Sequence, residues 1–201
     1  MKNPDVLLLV VHNLFWTSFG VTLVILRLRY RQAADAPPEA PTSKETHTAG
    51  RSRSLLAFHM VAFGLMYFGI FNAVGAQQVP VGFPGQRIVG AIVIGIGAAL
   101  MSSALTYFRS WRFRARLDQG HQLATGGPFR LMRHPIYMGL NLLALGSAIW
   151  VPTAILWIAV VLMVVGSDLR ARAEERILED AFGDTYRDYC RRTRRFIPGI
   201  Y

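Results

Sequence analysis

Residues 120–166 read GHQLATGGPFRLMRHPIYMGLNLLALGSAIWVPTAILWIAVVLMVVG. The segment before Pro135 is polar and basic, with His121, His134, Arg130, Arg133, Thr125 and a Gly126-Gly127-Pro128 turn. From Pro135 the chain becomes apolar and stays so, apart from a break at Trp150 and Pro152. Proline is accepted in the first turn of a helix and resisted in its interior, so Pro135 marks a helix start and Pro152 a division. Ile136–Ile149 and Val151–Gly166 then read as two short apolar helices folded back at Trp150, a residue favoured at a membrane interface. A single kinked helix is the alternative, but roughly 30 apolar residues exceed the ~20 that one span needs.

Working outward, Val6–Leu28, Leu55–Ala76 and Ile88–Phe108 are three further apolar blocks. Each is long enough to cross a hydrocarbon core of ~30 Å as a helix. Hydrophobic residues make up 52% of the 201, and charged residues only 17%, against ~25% in soluble domains. The sequence therefore predicts an all-α integral membrane protein with about five transmembrane helices, the last two forming a hairpin, followed by C-terminal helices. As one membrane domain it divides into a first span (1–29), a flexible loop (30–54), the second and third spans (55–108), a polar loop (109–134), the hairpin (135–168) and the C-terminal helices (169–201). The 30–54 segment is expected to be flexible because Pro37, Pro38 and Pro41 stand among small and polar residues. No internal repeat is visible. Gly64, Gly69, Gly90, Gly95 and Gly97 lie inside predicted spans, where small residues let helices approach. Gly95-Ile96-Gly97 does not read as a nucleotide loop, since no strand precedes it.

Charge sets the expected orientation. Of the 22 lysines and arginines, all but Lys2 and Arg87 fall on one side of the predicted spans. By the positive-inside rule that side is cytoplasmic, so the N-terminus is expected outside and the C-terminus and polar loops inside. The net charge of +10 then fits an anionic lipid surface, and no zinc-finger or RNP pattern points to nucleic acid. Cys190 is the one cysteine, which excludes an intrachain disulfide and gives no basis for a cysteine metal site. The first apolar block has no small-residue cleavage site and reads as a retained anchor.

Three motifs occur in order around the hairpin. The first is His121-x-Leu123-x-Thr125-x-Gly127-x-Phe129, and the second is Arg133-His134-Pro135-x-Tyr137-x-Gly139. The third is Arg170-x-x-x-Glu174-Glu175, continued by Phe182-Gly183-x-x-Tyr186-x-x-Tyr189 and Arg195-Phe196-Ile197-Pro198. From Ile88 to Pro198 the chain resembles the isoprenylcysteine carboxyl methyltransferase family and its phospholipid methyltransferase relatives. The resemblance implies S-adenosylmethionine as methyl donor, bound between the polar loop and the C-terminal helices. It implies that His121, Gln122, Leu123 and Ala124 line the cofactor and that Phe129, His134, Pro135 and Tyr137 close round it. It further implies that Glu174, with Glu175 beside it, contacts the cofactor and that Arg170 places the acceptor, which makes Arg170 and Glu174 the catalytic pair. Phe129 departs from the family, which usually has tyrosine there; a phenolic hydrogen bond is lost and a stacking face kept.

The residue types suit that chemistry on their own. Glu174 accepts from hydroxyls or an ammonium, and Arg133 matches a carboxylate through its forked donors. Pro135 opens a helix whose positive end favours an anion. No metal is required. Each motif alone also has a plain reading: Arg133-His134-Pro135 as a basic helix start, Arg170, Glu174, Glu175 and Glu179 as i,i+4 pairs, Tyr186 and Tyr189 as interfacial aromatics. His12 and His59 within spans, and His47 in the loop, carry no assigned role. Asn141, a polar residue inside a span, is a candidate to face the acceptor.

The expected acceptor is a lipophilic or small molecule entering from the bilayer, with an isoprenylcysteine-type carboxylate favoured. A phospholipid amine would first have to lose a proton to a base, and a thiol acceptor is a further alternative. Two rivals of other classes are an NADPH-dependent reductase, with Arg191–Arg195 on the phosphate, and a non-catalytic lipid-binding protein. The second would need the arginines but not the ordered histidine, glutamate and tyrosine motifs. Oligomeric state is not legible.

Overall fold

A computed structural model describes residues 6–29, 43–76, 80–107 and 123–201, without the side chains of 27, 29 and 43–56. Among these residues the chain forms α1 (Val6–Arg29), α2 (Ser43–Ala76), α3 (Gln86–Tyr107), α4 (Pro135–Trp150), α5 (Ala154–Phe182) and α6 (Asp184–Arg192), with a 3-10 turn at Gly127–Arg130. The described residues contain no strand, only an isolated parallel bridge between Met132 and Arg194. The all-α reading is what the structure has.

Four helices are long and apolar enough to cross a membrane, over Val6–Leu26, Ala57–Ala76, Gln86–Tyr107 and within α5. The protein is a multi-pass membrane protein. Helix α4 is apolar but has 16 residues, about 24 Å at ~1.5 Å per residue, and it forms the expected hairpin with α5. The break falls at Val151-Pro152-Thr153, where Val151 N donates to Ser147 O at 2.9 Å and Leu156 N to Thr153 O at 3.1 Å. Helix α5 then runs on past its apolar part. From Asp168 it carries acidic and basic residues, and it ends at Gly183 with φ +51, a value glycine adopts freely.

One expectation needs correction. The flexible loop assigned to 30–54 is helical from Ser43 onward. No proline follows Pro41 before Pro80, and Thr42-Ser43-Lys44-Glu45 has the capping-box pattern of a helix start. The span beneath extends the helix into polar sequence that looks like loop by composition. Pro37, Pro38 and Pro41 lie outside the described residues.

Without a hydrophobic force between helices in lipid, association depends on close packing. Helices α3 and α4 achieve it through two glycine pairs. A β-carbon on Gly90 would lie 2.7 Å from the Gly146 carbonyl oxygen, and one on Gly97 would lie 2.8 Å from that of Gly139. Helices α2 and α5 meet in the same way, where a β-carbon on Gly166 would fall 2.9 Å from Phe58 Cβ. Met66, Ile70, Ile94, Met101, Leu143, Leu156 and Met163 fill the buried centre.

Polar side chains add specific ties. His12 of α1 lies between Tyr67 Oη at 3.2 Å and Ser147 Oγ at 2.8 Å, and Trp16 Nε1 donates to the same Tyr67 hydroxyl at 2.5 Å. These join α1 to α2 and α4, so His12 is structural. At the hairpin end, Gln86 Nε2 donates to Pro80 O at 2.8 Å and to Trp150 O at 3.1 Å, tying the α2–α3 connection to the α4–α5 turn.

Candidate functional site

At the opposite end of the bundle the last residue of α3, Tyr107, lies against Gly126 and Gly127. Gly127 has φ +54, and a β-carbon there would run into the Tyr107 ring. Positive φ and a ring at contact both demand glycine at this place. Pro128 then leads the 3-10 turn, closed by Phe129 N to Gly126 O at 3.1 Å and Leu131 N to Pro128 O at 3.0 Å. The turn sends Phe129 inward, where it is buried.

Arg133 and His134, just before α4, are strapped to the C-terminal tail. Arg133 N donates to Arg194 O at 2.8 Å, and His134 N to Arg195 O at 3.1 Å. Pro135 opens α4 at its first position. Tyr189 on α6 donates its hydroxyl to Phe129 O at 2.6 Å, so both motif tyrosines, Tyr186 and Tyr189, are buried anchors and not interfacial aromatics.

An ion-pair brace holds the strap. Arg133 Nε donates to Glu175 Oε1 at 2.8 Å and its Nη1 to Thr193 O at 2.5 Å. Arg195 Nη2 reaches Glu175 Oε2 at 2.6 Å, and its Nη1 reaches Asp168 at 3.1 Å. The hydroxyl of Tyr201 donates to Asp168 Oδ1 at 2.8 Å. Burial acts to raise the Glu175 carboxyl, but the His134 ring 3.4 Å away and hydrogen bonds from Arg195 and Arg133 outweigh it and hold the group well below the usual carboxylate range. Arg133 and Glu175, both expected at the cofactor, are thus engaged with each other and with the tail.

Beside the brace lies a second, more open cluster. Tyr137, in the first turn of α4, donates its hydroxyl to Glu174 Oε1. Glu174 Oε2 is 3.7 Å from His134 Nδ1, and Glu174 Oε1 is 3.6 Å from Arg170 Nη2. The Arg170 guanidinium stands 5.5 Å from the centre of the Tyr137 ring, and the His134 ring stacks on Tyr137 at 5.7 Å and 19°. Glu174 keeps 32% of its side chain exposed, whereas Arg170 Nε is buried with no hydrogen-bond partner among the described residues. His134, Tyr137, Arg170 and Glu174 therefore form one cluster. Leu123 and Ala124 are half-buried ahead of the 3-10 turn, and His121 and Gln122 lie outside the described residues. Among the described residues no group of three His, Cys, Asp or Glu side chains is placed to hold a metal.

The phospholipid methyltransferase family model matches residues 86–185, from the start of α3 into α6. The chain belongs to this family. It is 30% identical over 116 residues to a probable protein-S-isoprenylcysteine O-methyltransferase of Oryza sativa subsp. indica, covering 56% of this chain and 61% of the relative. It is likewise 30% identical over 116 residues to protein-S-isoprenylcysteine O-methyltransferase B of Arabidopsis thaliana, covering 55% and 58%. An uncharacterized protein of Haemophilus influenzae is 32% identical over 63 residues, 31% of this chain and 100% of that one. The chain thus spans about three fifths of the plant relatives it matches.

Helices α1 and α2 precede the family match, yet α2 brings a residue to the site that the sequence left without a role. The His59 ring is 5.8 Å from that of Tyr137, and His59 Nε2 is 3.3 Å from Ser167 Oγ. The only sequence signal was a polar residue within an apolar span.

Proposed function

We propose that this protein is a membrane-embedded, S-adenosylmethionine-dependent methyltransferase whose acceptor is an oxygen of a lipophilic molecule, an isoprenylcysteine-type carboxylate above all. The observation that carries the reading is the convergence of His134, Tyr137, Arg170 and Glu174 beside a brace made by the neighbouring motif residues. The donor set suits the cofactor: Glu174 is an open carboxylate able to accept from an ammonium or from ribose hydroxyls. When bound, S-adenosylmethionine supplies a sulfonium methyl whose C–S bond breaks, the pair leaving on sulfur, as a lone pair of the acceptor oxygen forms the new C–O bond.

The chain's own residues do the aligning. Tyr137 fixes Glu174 from the side of α4. Arg170 carries an unused Nε donor, fit to hold an acceptor oxygen. The Arg133–Glu175–Arg195 brace keeps the turn at Gly127–Arg130 and the tail in register with both. A carboxylate is already nucleophilic, so no base is called for, and positioning alone can supply roughly 7–11 kcal/mol of the barrier. The family's name supports a second reading, methylation of a phospholipid amine. That reading needs a base, and Glu174 is the nearest carboxylate. The placement of 20 of the 22 basic residues supports a cytoplasmic site on an anionic inner leaflet.

Titration calorimetry and thermal melts of the detergent-solubilised chain test the reading. S-adenosylhomocysteine is expected to raise the melting temperature by mass action while NADPH leaves it unchanged. A shift with NADPH alone would sink the methyltransferase assignment.

A further inference from the structure

Asn141 stands one helical turn beyond Tyr137 on α4, on the same face, and it is 8% exposed. Its Oδ1 accepts from Ser167 Oγ at 2.8 Å. A hydroxyl has a single hydrogen. Ser167 uses it on Asn141, so the 3.3 Å contact with His59 Nε2 is one in which the imidazole donates. The relay from His59 through Ser167 fixes the amide, with its oxygen turned to Ser167 and its two N–H groups turned away. Among the described residues no hydrogen bond uses those N–H groups. One turn further along, Nε of Arg170, three residues after Ser167 on α5, is buried and without a hydrogen-bond partner among the described residues. A buried donor left unmatched is costly, and Arg170 Nε is one such donor, on the helix that holds the Asn141 amide through Ser167.

Both are donors, and that decides the chemistry of what they take. A carboxylate only accepts hydrogen bonds, whereas an ammonium only donates them. We propose that Asn141 is an acceptor-binding, specificity-determining residue, its amide N–H groups and Arg170 Nε together receiving the oxygens of the acceptor's carboxylate. The inference rests on the methyltransferase reading and deepens it. A protonated amine set in the same place meets donors with donors, and sites built around such groups discriminate strongly. His59 acts as a positioning residue through Ser167, so α2, outside the family match, takes part in acceptor choice.

The test uses the full solubilised chain and two probes, an S-prenyl thioether bearing a carboxylic acid and the primary amine of the same chain. Calorimetry is expected to give the acid at least about tenfold tighter binding than the amine in the unsubstituted protein. Asn141→Leu is expected to weaken the acid about tenfold and to leave S-adenosylmethionine affinity within twofold. Asn141→Asp is expected to weaken the acid further by charge repulsion, and Ser167→Ala to weaken it less by freeing the amide. These two carry the test should Asn141→Leu fail to melt cooperatively. Equal acid affinity in these variants, or an amine that binds as tightly as the acid, overturns the proposal. S-adenosylmethionine titrated into the same samples reports separately on the broader reading, which stands if the cofactor binds and the acid preference is missing.

Discussion

The Tyr137 hydroxyl donates to Glu174, fastening the first turn of α4 to the charged part of α5. The orientation of that carboxylate is therefore set from another helix. Tyr137→Phe is expected to leave the fold intact and to lower stability by about 1.5–3 kcal/mol, the range for a hydrogen bond to a charged group. S-adenosylmethionine binding is expected to weaken in parallel. Unchanged cofactor affinity by calorimetry would show that Glu174 needs no such hold.

Arg170 and Glu174 share a helical face, and their side chains meet at 3.6 Å. The proposed division of labour separates their variants. Glu174→Gln is expected to weaken cofactor binding directly, while Arg170→Ala keeps cofactor affinity within about threefold and loses turnover through misalignment of the acceptor. As a mere partly exposed ion pair, either change would cost about 0–1 kcal/mol with turnover intact. Methyl transfer, cofactor affinity and melting temperature measured together decide between the two.

The brace has a pH signature. The folded Glu175 carboxyl is held below its unfolded value, so its contribution is fully present above the unfolded pKa of ~4.3 and is lost as the pH falls toward the folded value. Thermal melts are expected to be level between pH 7 and about 5 and to decline below about 4. Glu175→Gln, which leaves Arg133 and Arg195 facing a neutral group, is expected to cost about 3 kcal/mol at pH 7 and to flatten the acid decline. An acid profile unaltered by the substitution would remove Glu175 from this role.

Glycines in the spans are not equivalent. A β-carbon on Gly139 meets the Gly97 carbonyl oxygen at 2.8 Å, while one on Gly95 meets nothing within 4 Å. Gly139→Ala is expected to destabilise by about 1–3 kcal/mol and to reduce activity, since α4 carries Tyr137. Gly95→Ala is expected to be neutral or slightly stabilising. Equal melting temperatures for the two variants would contradict the packing described for α3 and α4.

The basic residues predict sidedness. A reporter fused after Tyr201 and another inserted near Pro38 are expected on the same, cytoplasmic, face. A cysteine introduced near Pro38 that reacts with an impermeant reagent added outside intact cells would refute this.

The hairpin was legible because Pro135, Trp150 and Pro152 bracket two apolar runs, and proline restricts where helices begin and end. The convergence of His134, Tyr137, Arg170 and Glu174 was readable only through motif order, since α5 returns antiparallel to α4. Arg133 looked like an anion-binding fork, and it is one, but the carboxylate it takes belongs to the chain itself, at Glu175, 42 residues on. His59 could not be placed, because its partner Ser167 is 108 residues away and nothing local announces the pairing. The helical start at Ser43 was hidden for the opposite reason: its local composition is that of a loop, and its helicity is propagated from the apolar residues that follow.

The shortness of α4 bears on how the protein is made. Its 16 residues reach about 24 Å against a hydrocarbon thickness of ~30 Å, and they leave the ribosome before α5. Alone in lipid such a segment would leave its Trp150 end short of the far surface, with the backbone at Val151–Thr153 facing hydrocarbon. Val151 N and Thr153 N bond locally, to Ser147 O and Val151 O, but the Thr153 carbonyl is satisfied by the first turn of α5, through Leu156 N and Trp157 N. Entry of α4 and α5 into the bilayer as one unit is therefore expected, and it would join Tyr137 to Glu174 in the same event that completes insertion.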